Sequence, residues 1–417
     1  MSEREDKHDR RPFLYISLFV NLTMLFAFKY SGFFSENLSE LMVLLGVQYV
    51  LPMANLILPV GISFYTFQTL SYSIDIYNGK IEPEKNIGIF TLFVSFFPQL
   101  VAGPIERASS LLPQLHLERK INFVRIFSGL RLMLYGFFLK IVIADRLAFV
   151  VNEVYNSPEE YYGLTFWVAT IFFSFQIYCD FSGYSSIAIG AARILGVDLM
   201  VNFRRPYFSK SLREFWQRWH ISLSTWFKDY VYIPLGGGRV LKWRWYYNLL
   251  ITFIISGLWH GANWTFLIWG ALHGIFLILS LLISRYSFSF KGDITSNIIN
   301  VFKMIGTFSI VSFLWIFFRA NTLSDAQLII SRIFDFKSFS IEQLSFRLFP
   351  ESLHSVYTID ILLGWGWILT LILIEGNLFH NVFYKYRPLR WSVYVSAIIC
   401  LLIFGVYDNN EFIYFQF

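Results

Sequence analysis

The feature that most constrains this chain is a series of apolar runs, each long enough to cross a lipid bilayer as a helix. A membrane-spanning helix needs about 20 predominantly apolar residues, because the hydrocarbon core of a bilayer is about 30 Å thick. The clearest runs lie at 13–30, 123–149, 164–184, 246–259, 264–284, 298–318, 359–374 and 391–406. This pattern predicts an all-α, polytopic integral membrane protein.

Further apolar segments, at 41–62, 87–101 and 187–201, are interrupted or ended by proline or glycine. The last of them is short and contains Gly190 and Gly196, which favours a re-entrant or tilted helix. Irregular backbone at membrane depth is tolerated only inside the protein or along a cavity. With these segments included, we expect about ten or more membrane helices.

The composition excludes several classes of protein. Charged residues make up 15% of the 417 residues and hydrophobic residues 56%, whereas a soluble domain averages about 25% charged residues. A soluble or disordered chain is therefore excluded, and the net charge of +6 is too small to indicate nucleic acid as a partner. Cys179 and Cys400 lie far apart inside apolar runs, so neither a disulfide framework nor a cysteine metal site is expected.

The first residues differ in character from those that follow. Segment 1–12 is charged, and we expect it to form a cytoplasmic tail ahead of a single membrane domain at 13–417. Its basic residues are typical of the start of a signal peptide, but the apolar run that follows has no small-residue cleavage site. Segment 13–30 is therefore interpreted as a retained membrane span.

The most polar long interruption is 204–244, called the basic segment below. It carries nine Lys or Arg residues against Glu214 and Asp229, a net charge of +7 that exceeds that of the whole chain. Cytoplasmic loops of membrane proteins are enriched in basic residues, so the basic segment is expected to face the cytoplasm. Its interleaved aromatic residues permit two interpretations: an amphipathic layer in the membrane interface, or a site for an anionic, adenine-bearing ligand such as coenzyme A.

His260 is the strongest candidate for a functional residue, because it interrupts the apolar stretch 254–264. An ionisable side chain at membrane depth is costly, so a functional role is the default hypothesis, and a histidine that bridges two helices is the alternative. His220 lies in the basic segment, where a histidine is ordinary, and His273 is interpreted as a helix-packing residue. Asp180, inside another apolar run, has three possible roles: orienting a histidine, pairing with an arginine of the basic segment, or being buried and protonated.

Several catalytic signatures are absent from the sequence. It contains no His-Glu-x-x-His, Gly-x-Ser-x-Gly or P-loop motif, which argues against zincins, serine hydrolases and nucleoside triphosphatases. A zinc site needs three or four ligands, more than His220 and His260 supply, so no metal is expected. A transporter or lipid scramblase, with His260 and Asp180 as a proton relay, is the hypothesis from a different class, although the inverted repeats typical of transporters are not found.

Short motifs along nearly the whole chain carry a resemblance to a known family. They are LPVGISFYTFQ at 58–68, FFPQLVAGPI at 96–105, DFSGYS at 180–185, FWQRWHISLSTW at 215–226, DYVYIPLGG at 229–237, LWHGA at 258–262 and FIYFQF at 412–417. In these motifs the chain resembles the membrane-bound O-acyltransferase (MBOAT) family, and within it the alginate O-acetylation branch. Two features depart from the family pattern: Ser186 stands where similar proteins often have an acidic residue, and family members usually have further apolar spans before the position of Phe13.

The resemblance implies a fold of many helices around a central tunnel, with the invariant family histidine at His260 and the second family histidine at His220. It implies a multi-pass O-acyltransferase of the bacterial inner membrane, with acetyl-CoA as the cytoplasmic acyl donor. The acyl group would reach hydroxyl groups of an extracytoplasmic polysaccharide such as alginate, with a periplasmic SGNH-type acetyltransferase as protein partner and no permanently bound cofactor. D-alanyl transfer and peptidoglycan acyl transfer are the alternatives within the family.

Chemical roles follow for the candidate residues. A hydroxyl group is a poor nucleophile at neutral pH, so we assign His260 as the general base. His220 would orient it or donate a hydrogen bond to the developing oxyanion, and a transient acyl-histidine is the alternative mechanism. The residues expected to line the tunnel or contact substrate are Trp219, Trp259, Asn263, Asp180 and Tyr184, and those expected to bind the acyl donor are Arg205, Arg218 and Lys228.

Overall fold

The computed structural model describes residues 7–47, 59–100, 103–283, 293–335, 354–376, 386–407 and 412–413. All regular secondary structure within these ranges is helical, which confirms the predicted all-α class. In chain order the α-helices are α1 (Lys7–Leu25), α2 (Ser31–Leu44), α3 (Ile62–Tyr77), α4 (Ile87–Ser95), α5 (Phe97–Leu100), α6 (Ala108–Leu115), α7 (Phe123–Phe137), α8 (Asp145–Asn156), α9 (Leu164–Ile194), α10 (Leu212–Arg218), α11 (Ile221–Phe227), α12 (Lys242–His260), α13 (Trp264–Ile283), α14 (Asp293–Arg319), α15 (Leu323–Ile333), α16 (His354–Glu375) and α17 (Arg387–Phe404). Three π-helical segments, Phe26–Tyr30, Phe138–Ala144 and Lys228–Tyr232, directly follow α1, α7 and α11.

The predicted membrane spans coincide with these helices. Within the described residues, six stretches are long and apolar enough to cross a membrane: Asp9–Leu44, Phe123–Asn156, Leu164–Ile194, Trp264–Ile283, Asn297–Arg319 and Arg387–Phe404. The two other clear runs, at 246–259 and 359–374, are covered by α12 and α16. The protein is therefore a multi-pass helical membrane protein, as the apolar runs indicate.

Two local predictions differ from the structure. α1 begins at Lys7, so helix starts within the segment expected to form a charged tail. For 187–201, where a re-entrant or tilted helix is expected, the re-entrant alternative is wrong, because α9 continues to Ile194 without a break. Gly190 serves close packing instead, since a Cβ atom added there would lie 2.7 Å from the carbonyl oxygen of Gly129. Just beyond the helix, Gly196 has φ = 82°, a conformation that glycine adopts without strain.

The sequence pattern did not predict α3. The interrupted span expected at 41–62 falls partly outside the described residues, at 48–58, and α3 begins at Ile62, where that span was expected to end. The buried residues of α3 include Thr66 and Gln68 beside large apolar side chains. Because this face is mixed, a search for apolar runs misses the helix. It packs against α1.

α9 is the central helix of the fold, and most of it is buried. Its most extensive partner is α7, where paired glycines let the two backbones approach closely. A Cβ atom added to Gly129 would lie 2.6 Å from the carbonyl oxygen of Gly190, and one added to Gly136 would lie 2.6 Å from that of Gly183. Small residues at a helix interface increase van der Waals contact between membrane helices, which have little hydrophobic force between them.

Buried charges reinforce this part of the bundle. Lys140, in the second π-helical segment, lies 2.7 Å from Asp145 and 2.8 Å from Asp180. The other carboxylate oxygen of Asp180 accepts a hydrogen bond of 2.9 Å from the backbone N–H of Ile413. Buried charges are tolerated when they are paired and hydrogen-bonded. The cluster therefore connects the second π-helical segment, α8, α9 and Ile413.

The basic segment is folded into the protein instead of lying on it. α10, α11 and the third π-helical segment occupy its middle, and Phe215 and Trp219 are almost completely buried. The ring centroid of Trp219 lies 5.1 Å from that of Trp315 in α14. These aromatic side chains pack inside the bundle, so the interpretation of the segment as an interfacial layer is wrong for them.

The orientation of α12 gives a test of the predicted topology. Lys242, exposed at the first residue of α12, is expected to face the cytoplasm, because moving a segment of net charge +7 across the membrane opposes the positive-inside bias. We expect Lys242→Cys, in a chain whose Cys179 and Cys400 are replaced by serine, to react in intact cells with a membrane-permeant maleimide and not with an impermeant one.

Ser324 supplies the matched control for this labelling. It is exposed near the start of α15, at the end of the α12–α13–α14 array opposite to Lys242. Ser324→Cys in the same background should react with the impermeant maleimide. Periplasmic labelling of Lys242→Cys in intact cells would contradict the predicted orientation.

Candidate active site

His260 is the last residue of α12, at a point where two helices approach closely. A Cβ atom added to Gly257 would lie 3.2 Å from the Cα atom of Gly270 in α13, so larger residues would force the helices apart. This packing fixes the end of α12 inside the bundle, where His260 is 3% exposed. Its ring meets three aromatic rings nearly edge-on, with centroids 5.0 Å from Trp259, 5.1 Å from Trp269 and 5.2 Å from Phe318.

His220 reaches the same region from the basic segment. It is fully buried, and its backbone has φ = 42°, in the left-handed region that non-glycine residues rarely adopt. Such a conformation persists only where the surrounding structure holds it. Asn202 does so, since its backbone carbonyl accepts a hydrogen bond of 2.9 Å from the N–H of Ile221, and its side chain contacts the His220 ring.

The hydrogen bonds of Asn202 indicate the tautomer of His220. Asn202 Oδ1 accepts hydrogen bonds from the backbone N–H and the hydroxyl of Ser222, at 3.2 and 3.0 Å, which identifies this atom as the amide oxygen. Nδ1 of His220 lies 3.2 Å from the same oxygen, so Nδ1 carries the proton in this arrangement. Nε2 is then the basic nitrogen of the neutral ring. A neutral His220 in this tautomer has no proton on Nε2 to donate to an oxyanion.

The two predicted histidines meet at Trp259. The centroid of its indole lies 6.2 Å from the His220 ring and 5.0 Å from the His260 ring. Trp259 is buried, and it stacks on Phe67 of α3 with a centroid distance of 5.3 Å. The structure therefore brings His220, Trp259 and His260 into one cluster, although the two histidines are 40 positions apart in sequence.

Lys29 is a residue of this cluster that sequence analysis missed. It lies in the first π-helical segment, and its Nζ donates hydrogen bonds to the backbone carbonyls of Trp259 and His260, at 2.8 and 2.9 Å. The hydroxyl of neighbouring Tyr30 donates to the carbonyl of Leu258 at 3.1 Å. The last carbonyls of a helix lack intrahelical partners. The first π-helical segment therefore caps α12 and fixes the backbone of His260.

A cavity of about 890 Å³ borders the His220 side of the cluster and includes Asn202 in its wall. Four arginines line it: Arg193, Arg204, Arg205 and Arg218. Arg218 is paired with Glu214 one helical turn away, at 2.5 Å. Guanidinium groups bind phosphate and carboxylate with paired hydrogen bonds. The cavity is thus suited to an anionic ligand that enters from the basic segment.

Of the three residues predicted to bind the donor, Arg205 and Arg218 line this cavity and Lys228 does not. Lys228 is exposed at the start of the third π-helical segment. It borders a different cavity of about 530 Å³, between α11 and α12. The structure therefore separates Lys228 from the two arginines.

A smaller cavity, of about 360 Å³, borders the other side of the cluster, next to Gly261. Asn263, one of the predicted residues, lies in its wall. Its side-chain oxygen accepts a hydrogen bond from the N–H of Thr265 at 3.0 Å, and its amide donates to the carbonyl of Asn321 at 3.2 Å. The large cavity thus reaches Asn202, which contacts His220, and the small cavity reaches Gly261, which follows His260, while neither histidine is itself among the residues that line these two cavities.

The remaining predicted tunnel residues lie in packed regions. Asp180 pairs with Lys140, and neither of its proposed partners, a histidine or an arginine, contacts it within the described residues. The ring centroid of Tyr184 lies 4.4 Å from that of Phe412. Trp219 precedes His220 in sequence, but its side chain belongs to the aromatic core. Their expected contacts with substrate stay predictions.

His273 also lies near the cluster, among aromatic side chains. It is fully buried, and its ring centroid lies 4.8 Å from Trp269 and 4.9 Å from Trp216. These contacts agree with its interpretation as a helix-packing residue.

Comparison with known proteins places this arrangement in a family. The model of the membrane-bound O-acyltransferase family, MBOAT, matches residues 85–318, a stretch that contains both histidines and Asn202. The chain belongs to the MBOAT family. Both histidines thus lie within the part of the chain that the MBOAT model matches.

The curated relatives of this MBOAT chain have several named activities. The probable alginate O-acetylase AlgI of Azotobacter vinelandii is 37% identical over 332 residues, which cover 80% of this chain and 64% of that protein. The peptidoglycan O-acetyltransferase of Helicobacter pylori is 35% identical over 362 residues, covering 81% of this chain and 67% of that protein. The teichoic acid D-alanyltransferase of Streptococcus thermophilus is 29% identical over 240 residues, covering 53% and 56%. The chain therefore spans just under two thirds of the length of the Azotobacter relative.

The contacts of Asn202 lead to a prediction for this MBOAT chain. Asn202→Ala removes the acceptor that orients Nδ1 of His220, and we expect acyl transfer to fall by roughly 100-fold, since small misplacements of catalytic groups have effects of that size. Asn202→Asp keeps the acceptor and should retain more activity than alanine. Initial rates of thioester consumption by purified protein measure both. Equal rates for Asn202→Ala and the unaltered protein would remove the orienting role from Asn202.

Proposed function

We propose that this chain is an acyltransferase of the bacterial inner membrane that moves an acetyl group from cytoplasmic acetyl-CoA to hydroxyl groups of an extracytoplasmic polysaccharide. The observation that carries the proposal is the pair of buried histidines, with one cavity that reaches Asn202 beside His220 and another that reaches Gly261 beside His260. Such a pair at membrane depth is costly unless it has a function. Membership of the MBOAT family supports the reaction class.

The proposed reaction is attack of an acceptor hydroxyl on the thioester carbonyl. His260 accepts the hydroxyl proton as the new C–O bond forms, and the proton passes to the sulfur of the departing thiolate. A correctly placed general base contributes typically 10²–10⁴-fold to such a rate. His220, held by Asn202, orients the reacting groups. An acyl-histidine intermediate would use the same residues with the order of bond formation changed.

The arginine-lined cavity supports coenzyme A as the donor. Arg193, Arg204, Arg205 and Arg218 surround a volume of about 890 Å³ at the end of the bundle that carries the basic segment. Coenzyme A brings several phosphate oxygens, which arginine binds strongly. A donor delivered on a carrier protein would need fewer of these contacts, because its phosphopantetheine arm carries a single phosphodiester.

The names of the relatives support a polysaccharide as the final acceptor. A probable alginate O-acetylase and a peptidoglycan O-acetyltransferase are 37% and 35% identical to this chain. We propose an acidic exopolysaccharide such as alginate as the acceptor, with a periplasmic SGNH-type acetyltransferase as protein partner. A gene for such an enzyme beside the gene for this chain would support the proposal, and one for a D-alanine carrier-protein ligase would favour teichoic acid D-alanylation.

The donor assignment is tested by comparing acetyl-CoA with S-acetylpantetheine, which lacks the phosphates. For the purified protein we expect a KM for acetyl-CoA at least about tenfold lower, because hydrogen bonds to charged groups contribute about 1.5–3 kcal/mol each. Arg205→Gln should reduce this preference. Arg239→Gln, an exposed arginine of the basic segment that does not line the cavity, is the matched control. Equal KM values for the two thioesters, or turnover only with a D-alanyl carrier protein, would contradict the proposal.

A further inference from the structure

The small cavity beside Gly261 has two cations in its wall, one partly buried and one buried. Lys29 and Arg319 both line it, and Arg319 is 7% exposed. Lys29 Nζ donates to two backbone carbonyls. The guanidinium of Arg319 donates to amide oxygens of Asn152, Asn156 and Asn321, at 2.9, 3.3 and 3.3 Å. All the oxygens that receive these hydrogen bonds are neutral.

No carboxylate within the described ranges forms an ion pair with either cation. Buried charges in proteins are ordinarily paired with an opposite charge or bound to a ligand. The Lys140 cluster in the same bundle follows that rule, since two carboxylates surround one lysine. The small cavity shows the reverse, with two positive charges and no negative one among the residues that line it.

A further group in the wall also lacks a partner. Thr265 is 1% exposed, and its hydroxyl makes no hydrogen bond with any described residue. Buried hydroxyl groups are nearly always hydrogen-bonded. Thr265 lines the same cavity as Lys29 and Arg319, so two charges and one hydroxyl are available to a ligand at one place.

The position of the cavity indicates which substrate it serves. α12 has 19 residues, so its ends are about 28 Å apart at 1.5 Å per residue. Lys242, in the basic segment, lies at one end, and His260 with the small cavity lies at the other. The cavity is therefore at the end of α12 opposite to Lys242, which is the extracytoplasmic side when Lys242 faces the cytoplasm, and the acceptor of the proposed reaction approaches from that side.

We propose that the small cavity is a subsite for the carboxylate of an acidic sugar, which positions the acceptor hydroxyl towards His260. The assignment rests on the proposed function for the nature of the acceptor. Lys29 and Arg319 pair with the carboxylate, and the Thr265 hydroxyl and the amides of Asn263 and Asn321 suit neighbouring sugar hydroxyls, because these groups both donate and accept hydrogen bonds.

Binding measured without any acyl donor tests the subsite separately from the reaction. The probes are a short oligouronate and its carboxyl-reduced counterpart, in which each carboxylate is replaced by a hydroxymethyl group. For purified full-length chain in lipid nanodiscs, we expect the oligouronate to bind at least tenfold more tightly, with the difference shrinking as salt is raised. Equal binding of the two probes, or binding of neither, overturns the subsite while leaving the donor assay as an independent test of the proposed function.

Arg319 provides the variants for the same measurement. Arg319→Gln should reduce the preference for the oligouronate to about twofold or less, and Arg319→Lys, which keeps the charge, should retain most of it. Arg332→Gln is the matched control, because Arg332 donates to backbone carbonyls of Pro158, Glu159 and Tyr161 away from the cavity. A preference that survives Arg319→Gln would contradict the proposal.

A variant that leaves both cations intact distinguishes loss of ligand binding from a folding defect. Ala262 lines the cavity and is partly exposed, so Ala262→Glu places a carboxylate beside the cations and Ala262→Gln is its neutral equivalent. Only Ala262→Glu should abolish the preference for the oligouronate.

A short peptide with a free terminal carboxylate, compared with its amide, tests the other kind of acceptor, a protein. Preference for the peptide acid without preference for the oligouronate would assign the cavity to a protein and overturn the sugar assignment.

Discussion

His260→Ala is expected to lower acyl transfer by about 10²–10⁴-fold, the usual contribution of a general base. The variant should accumulate in the membrane at the normal level, because Lys29 contacts the backbone of residue 260 and alanine preserves that contact. Acetylation of the cell-surface polymer measures the effect in cells, and thioester consumption measures it with purified protein. The amount of chain in the membrane is measured in parallel by immunoblot.

His116→Ala is the control for His260→Ala. Its side chain is about half exposed and contacts Glu84, outside the apolar helices. This variant should behave like the unaltered protein in both assays. Near-normal acetylation by His260→Ala, with near-normal protein abundance, would refute its assignment as the base.

The second large effect is expected for the pair of histidines. If His220 and His260 act on one reacting carbonyl, the double variant His220→Ala/His260→Ala should be no more than about tenfold slower than the slower single variant. Catalytic residues that act as a unit are strongly non-additive, because the first loss already removes the function of the second. The common contact with Trp259 agrees with such a unit.

Thioester hydrolysis by purified protein is the readout for this comparison, since it needs no acceptor or partner. The thermal stability of each variant is recorded beside the rate. Two independent packing histidines would give losses that multiply in the double variant and follow the fraction of folded protein. That outcome would remove both residues from the catalytic mechanism and favour a structural role.

The membrane spans were predictable because the bilayer imposes a length and a composition on each helix. His260 was predictable for a related reason, since an ionisable residue stands out in the apolar stretch 254–264. α3 was not predictable in this way, because its buried face mixes Thr66 and Gln68 with apolar residues. The continuous course of α9 was also missed, since the role of Gly190 appears only when Gly129 of α7 is beside it.

The site was less predictable than the helices because its key contacts join distant parts of the chain. Asn202 has no local signature, and its importance depends on a turn that brings His220 back to it. In the sequence, Lys29 looks like any lysine near the end of a membrane span. Only the fold shows that it contacts the end of α12. The arginines of the basic segment were recognised as a group by charge, but separating Arg205 and Arg218 from Lys228 required the cavity itself.

The capping of α12 by Lys29 has a consequence for how the protein is made. The lysine and the carbonyl of His260 are 231 residues apart, so at about 5–20 residues per second the ribosome delivers them roughly 10–50 s apart. During that interval Lys29 has been synthesised, but the carbonyl groups of α12 that accept its hydrogen bonds have not. A chain in which α1 inserts in the wrong direction cannot place Lys29 at the end of α12. In such a chain the last carbonyl groups of α12 would lack their hydrogen-bond donor, and the backbone of His260 would no longer be held in place.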